Sequence, residues 1–270
     1  MRNLLNEIIK HLRLHALLVR MNLMSHLEYR INFLTGLMME VGYLIVKLLY
    51  VFVVFRSGRQ IAGFSPDEIL VFIGTFVLVT GFYAGLFMMN LFQLSGIVKD
   101  GSFDMILTKP VSTQFLATFR RSDVAIFLLD FLAGLVMVVI GLARLGLDFS
   151  IFRVLGYAAF VASGSAMAYA LYLLPMTLVF RLMNVQAIAG LADSFWDFNN
   201  VPMVVYNKVG QAFGIFLIPV FIITNFPALF ALGRMTPLYA VWGLISPLFF
   251  TFLASLAWRI GLRGYSSASS

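Results

Sequence analysis

The sequence contains no cysteine, which excludes disulfides, thiol catalysis and thiolate metal sites. Charge is also scarce. Asp, Glu, Lys and Arg make up 11% of the 270 residues, against about 25% in an ordinary soluble domain. Catalytic constellations are missing: there is no H-E-x-x-H and no G-x-S-x-G. The histidines, His11, His15 and His26, all precede the first long apolar stretch, and His11 and His15 read as interfacial side chains rather than a metal pair. No glycine is followed by lysine, so the G-x-x-x-x-G-K-[ST] phosphate loop is absent. The chain therefore reads as a non-enzyme with no cofactor of its own, and any nucleotide has to be bound by another polypeptide.

What is present is apolar length. Hydrophobic residues make up 61% of the chain. A membrane span needs about 20 mainly apolar residues to cross a hydrocarbon core of about 30 Å. Candidates run Ile31–Phe55, Ile69–Val98, Val124–Leu145, Val154–Phe180, Val209–Asn225 and Leu238–Trp258. The period-two alternation of a strand-built pore is absent. The fold class expected is all-α: a polytopic membrane protein with six transmembrane helices, an N-terminal amphipathic interfacial helix and a short cytoplasmic coupling helix. The domain reading is 1–28 for the interfacial helix, 29–260 for the membrane domain and 261–270 for a short tail.

Six spans place both ends on one side. Basic residues decide which side, because cytoplasmic loops carry the excess. With both ends inside, the inner set is Arg2, Lys10, Arg13, Arg20, Arg30, Lys99, Lys109, Arg120, Arg121, Arg181, Lys208, Arg259 and Arg263. The outer loops hold only Arg56, Arg59, Arg144, Arg153 and Arg234. The net charge of +7 thus belongs to membrane flanks and not to nucleic-acid binding.

Before the first span, Leu4, Leu5, Ile8, Ile9, Leu12, Ala16 and Val19 recur at helical spacing, with Lys10, Arg13 and Arg20 on the other side. This predicts a helix lying in the inner interface. The first inner loop runs from Lys99 to Pro110. Gly101 permits a sharp turn, Ser102 is a plausible N-cap, and Pro110 stops a helix beyond about Thr108. Phe103, Asp104, Ile106, Leu107 and Lys109 are the candidates for docking a partner, as a short apolar knob facing the cytoplasm. The second inner loop, about residues 181–208, contains Asp193, Trp196 and Asp197. It predicts an interfacial helix, since Trp favours the headgroup level.

Ionisable residues lie inside spans at Glu40, Lys47 and Asp130. Each costs roughly 2.5–3.5 kcal/mol at mid-bilayer and needs a partner or a wet cavity. Glu40 and Asp130 sit at similar depth, roughly 13 Å and 9 Å from the same side at 1.5 Å per residue. Lys47, two turns beyond Glu40 on the same face, can neutralise it or snorkel outward. The group is either structural, bonding spans or subunits together, or faces substrate. Gly74, Gly81 and Gly85, with Gly156, Ser163, Gly164 and Ser165, permit close helix approach.

Three stretches carry a resemblance. They are Gly101-Ser102-Phe103-Asp104-Met105-Ile106-Leu107-Thr108-Lys109-Pro110-Val111-Ser112, the run from Ile218 through Pro219 and Asn225-Phe226-Pro227-Ala228 to Gly233-Arg234, and the ending Trp258–Ala268. In this order they resemble an ABC-2-type transporter permease, of the bacterial exporter subgroup described as daunorubicin- or viologen-exporter-like. The resemblance implies a coupling helix between spans two and three and short outer helices near residues 226–236. Its implied partners are a separate ABC ATPase in two copies, which binds the ATP and Mg, and a second ABC-2 permease subunit, with a heterodimer favoured over a homodimer. Membrane lipid surrounds the chain, and the expected location is the bacterial inner membrane with both termini cytoplasmic. The readings from other classes are a non-transporting assembly or sensor subunit and a proton-coupled secondary transporter using Glu40 and Asp130.

Overall fold

The computed structural model describes residues 2–28, 30–182 and 186–265, and no strand forms among them. In chain order the helices are α1 (Arg2–Glu28), α2 (Arg30–Ser57), α3 (Pro66–Tyr83), α4 (Met89–Lys99), α5 (Asp104–Leu107), α6 (Thr113–Phe119), α7 (Val124–Arg144), α8 (Ile151–Met176), α9 (Gln186–Trp196), α10 (Lys208–Ala212), α11 (Phe221–Ala231) and α12 (Pro237–Arg263). A π-turn at Ala84–Met88 joins α3 and α4 into one long span, and α8 is extended by a 3-10 turn at Thr177–Phe180. Five helices are long and apolar enough to cross a membrane, and a bent pair makes up to six. The chain is an all-α polytopic membrane protein. Of the expected tail, residues 266–270 lie outside the described residues.

The central contact is α3 against α7. Gly74 and Gly81 on one helix and Gly134 and Gly141 on the other recur at seven-residue spacing, two turns, so each pair lies on one stripe. A Cβ on Gly134 would lie 2.5 Å from the Gly74 carbonyl oxygen and 2.5 Å from the Leu78 amide nitrogen. One on Gly81 would lie 2.8 Å from Asp130 Cβ. The backbones therefore touch, the role small residues play between helices that cannot rely on water to drive them together. The start of α7 is sewn to the α3–α4 span. The Asp123 amide donates to the Gly85 carbonyl (2.8 Å), and buried Asn90 both donates to and accepts from the Arg121 backbone (2.7 and 3.0 Å).

At the opposite end Ser65 and Glu68 form a reciprocal capping box at the start of α3. Glu68 pairs with Arg234 (2.6 Å), and Asp67 with Arg144 (2.5 Å). These pairs, each with an exposed arginine and a part-buried carboxylate, fix geometry more than they stabilise.

The fifth span departs from expectation. A straight Val209–Asn225 helix is replaced by Lys208–Leu217 and Phe221–Ala231, meeting at 105°. The break falls at Ile218, which leaves helical geometry (φ −119°, ψ 88°) because the following Pro219 disfavours it. Beyond the break, α11 runs past Asn225 and through Pro227 to Ala231. Proline cannot bond the carbonyl four residues back, here Ile223. That carbonyl packs against Gly164 of α8, where no Cβ stands in its way. Pro247 likewise frees the Gly243 carbonyl in α12, and the Ser163 hydroxyl donates to it.

The segment after α8 also differs from expectation. Trp196 does not lie at an interface. Its ring stacks on Tyr83, halfway along the α3–α4 span, with centroids 4.3 Å apart. Thr224 donates to Asn199 (2.8 Å), and the Met203 amide donates to Asn225 (2.6 Å). Residues 196–203 therefore thread into the bundle beside α11. The headgroup preference of Trp yields where aromatic faces surround it, and the Asn side chains satisfy an otherwise bare backbone.

Candidate functional site

Two regions gather the residues singled out in the sequence. The first is the loop at residues 97–112. Gly101 takes φ 76°, the left-handed turn for which glycine is suited. The Phe103 amide then reaches back to the Ile97 carbonyl (2.8 Å). Ser102 is not the cap. Its hydroxyl donates to Asp100 (2.5 Å), and Phe103 stands at the N-cap of the single-turn α5. These bonds from Ser102 hold the Asp100 carboxyl below the usual carboxylate range.

Phe103 and Ile106 do not face outward as expected. Phe103 is wholly buried, its ring against Phe180 (5.3 Å), Tyr265 (5.3 Å) and Trp258 (6.2 Å). Ile106 is buried beside it. Asp104 accepts a hydrogen bond from the Tyr265 hydroxyl (3.0 Å), so it tethers the chain's own C-terminal end. Leu107 and Lys109 are exposed, together with Met105, which is 66% exposed. The reason is geometric. After so sharp a turn, a one-turn helix must hold itself by its apolar face, and the three-residue spacing of Phe103 and Ile106 supplies that face. What faces outward is the other side, and it includes Met105.

The N-terminal helix straps the same loop. Lys10 donates to the Pro110 carbonyl (3.0 Å), and Asn22 to the Arg120 carbonyl (3.1 Å). His11 and His15 stand edge-on to Phe115 of α6, at 4.8 and 6.3 Å between ring centroids. Burial lowers the His15 pKa. Helix α1 and Tyr265 thus meet one loop, at one end of the bundle.

The second region is a cavity of about 460 Å³ between α2, α3, α7 and residues 193–200. Glu40, Lys47 and Asp130 all line it. Asp130 is 1% exposed, held over Gly81 by the α3–α7 contact. The Glu40 carboxyl borders the same cavity. Among the described residues no donor reaches either Asp130 oxygen. Lys47 does not neutralise Glu40. Its ammonium donates to Asn200 (2.6 Å) and sits 4.3 Å over the Phe76 ring. Asp193, which accepts from the Tyr172 hydroxyl (3.1 Å), and Asp197 complete the wall with Tyr43, Tyr83 and Trp196. The sequence contained these acids but gave no sign that they border one cavity. A largely apolar cavity of about 270 Å³ lies on the other side of Trp196, reaching Phe250 and the break at Ile218.

A bundle of apolar spans, with α1, Tyr265 and one inter-span loop bound together, defines a polytopic membrane component. The family model described as ABC-2 family transporter protein matches residues 41–269, so the chain belongs to the ABC-2 family of transporter proteins. No curated protein and no solved structure matches it. Proteins of this family are transmembrane components that generally work with an ATPase partner.

Proposed function

We propose that the chain is the permease subunit of an ATP-driven exporter in the bacterial cytoplasmic membrane. It forms half of a translocation pathway with a second, similar permease, and two copies of a separate ATPase drive it. The observation supporting this most is the loop at residues 97–112. It is fastened to the ends of α4, α8 and α12 through Phe103 and to α1 through Pro110, yet presents Met105, Leu107 and Lys109 outward. A piece so anchored passes a push from outside directly to several spans. With the basic residues inside, this loop and both chain ends face the cytoplasm, where ATP is.

The test is uptake of substrate-like dyes into inside-out vesicles containing the permease and its ATPase. ATP is expected to drive it, and a proton gradient alone is expected not to. Uptake on the gradient without ATP would instead establish the proton-coupled carrier that the Glu40–Asp130 pair suggests. Orientation is tested by single cysteines in this cysteine-free chain. An impermeant thiol reagent on intact cells is expected to label Ser57→Cys and Asp148→Cys but not Ser102→Cys. The reverse pattern would place the loop outside and remove the ATPase from its reach.

A further inference from the structure

The apolar cavity behind Trp196 is built where the fifth span breaks. Tyr172 and Pro175 come from the last two turns of α8, Ala192 and Trp196 from α9, Ile223 from α11 and Phe250 from α12. The break itself adds Ile218 and its neighbours Leu217 and Val220. The two halves of the span meet there at 105°, so they cannot pack side by side along their length.

The walls decide what can fill the cavity. Their side-chain polar groups are the Tyr172 hydroxyl and the Trp196 indole N–H. The hydroxyl is already given to Asp193 (3.1 Å), which borders the acid-lined cavity instead. A stable internal water needs about two to four polar partners, which this lining lacks. An ion or a polar molecule would lose its hydration with nothing in return. With no occupant, the lining side chains would forfeit dispersion contacts on one side. The cavity is also continuous with the surface that faces hydrocarbon. Leu217 at its rim is 66% exposed, and Phe213 and Phe216 of the same segment are exposed beside it. In a polytopic membrane protein, what meets such a rim is the acyl chain of a lipid.

Trp196 gives the site a consequence. It lines both cavities and stacks on Tyr83 on the acid-lined side. Whatever fills the apolar cavity therefore backs the wall of the other.

We propose that this cavity is a binding site for one acyl chain of a membrane phospholipid. The chain is a structural ligand: it fills the space beside the bent span and supports Trp196 from behind. This goes beyond the ATP-driven reading, and neither rests on the other.

The experiment is photolabelling of the full-length permease in phospholipid vesicles. The probe is a phospholipid with a diazirine within one acyl chain, and adducts are mapped by mass spectrometry. Ile223 and Val220 line the cavity but are closed to bulk lipid, at 1% and 4% exposure. Leu248 on α12 is 71% exposed and reports bulk lipid. Label is expected at Ile223 or Val220 as well as at Leu248. At the buried positions it should saturate as the probe is increased, while at Leu248 it should rise in proportion. Ala192→Phe puts a ring into the cavity, and should lose the buried label while keeping that at Leu248. Ala192→Leu makes the same comparison with a smaller filling, should the Phe variant not accumulate. Leu217→Cys, in this cysteine-free chain, tests the other occupant, a second copy seated on the rim, and should form no disulfide-linked pairs in the membrane. Three results would overturn the proposal: label at Leu248 with none at Ile223 or Val220, buried label unchanged in a filled variant that accumulates normally, or Leu217→Cys pairs. Each leaves the ATP-driven reading untouched, since dye uptake is measured separately.

Discussion

Leu107→Asp, and equally Met105→Asp, is expected to abolish ATP-driven transport while the permease accumulates and melts as wild type. Both side chains are exposed, so a carboxylate there costs the isolated permease little. Seated in an apolar groove of a partner, the same carboxylate is desolvated without a counter-charge. Central apolar contacts of this kind carry about 2–4 kcal/mol, or roughly 30- to 1,000-fold in affinity. The ATPase should therefore fail to co-purify. Phe103→Asp makes the contrast. It buries a charge among Phe180, Trp258 and Tyr265, and is expected to lower the melting temperature of the permease itself. Normal ATPase recovery and transport with Leu107→Asp and Met105→Asp would show that this face docks nothing.

Gly134→Leu is expected to have the largest effect on folding. Its Cβ would meet the Gly74 carbonyl and the Leu78 amide at 2.5 Å, and backbone cannot rotate out of the way as a side chain can. Overpacking a tight contact costs about 1–3 kcal/mol even where side chains can adjust, so a backbone clash along the α3–α7 seam should exceed that. The readout is yield and melting temperature in detergent. Gly36→Leu is the control. It stands on α2 with no atom within 4 Å of its Cβ position and should melt as wild type. Equal melting of the two variants would mean that α3 and α7 do not touch along this stripe.

The residues that made the fold readable were those with one-dimensional patterns. Apolar length located α2, α3–α4, α7, α8 and α12, and the glycines at positions 74 and 81 announced a close neighbour before α7 was known to be it. The same logic failed for the fifth span. Apolar length there is shared by two half-helices, and the break depends on Pro219 acting where no neighbouring turn can compensate, whereas Pro227 and Pro247 are absorbed because Gly164 and Ser163 lie opposite. A proline's effect is thus decided by a partner distant in sequence. The loop at residues 97–112 was recognisable, but its facing was not. Phe103 and Leu107 share a helical face in principle, yet the tether to Tyr265 and Trp258 turns Phe103 inward and leaves Leu107 outside. Glu40 and Asp130 border one cavity, at the similar depth their positions in the spans imply. That Asp193 and Asp197 border the same cavity was not legible, because Trp196 beside them carried the composition of an interface.

The most direct measurement of the docking role is a photo-crosslink. A photoreactive amino acid is placed at Met105, on the exposed side of α5, and in a second protein at Phe103, on its buried side. Illuminated cells are analysed for adducts by mass spectrometry. The Met105 probe is expected to capture a nucleotide-binding ATPase, and the Phe103 probe to form crosslinks only within the permease, at Phe180, Trp258 or Tyr265. A Met105 probe that captures no nucleotide-binding polypeptide, in cells where the permease is assembled, would contradict the assignment of this chain to an ATPase-driven transporter through this loop.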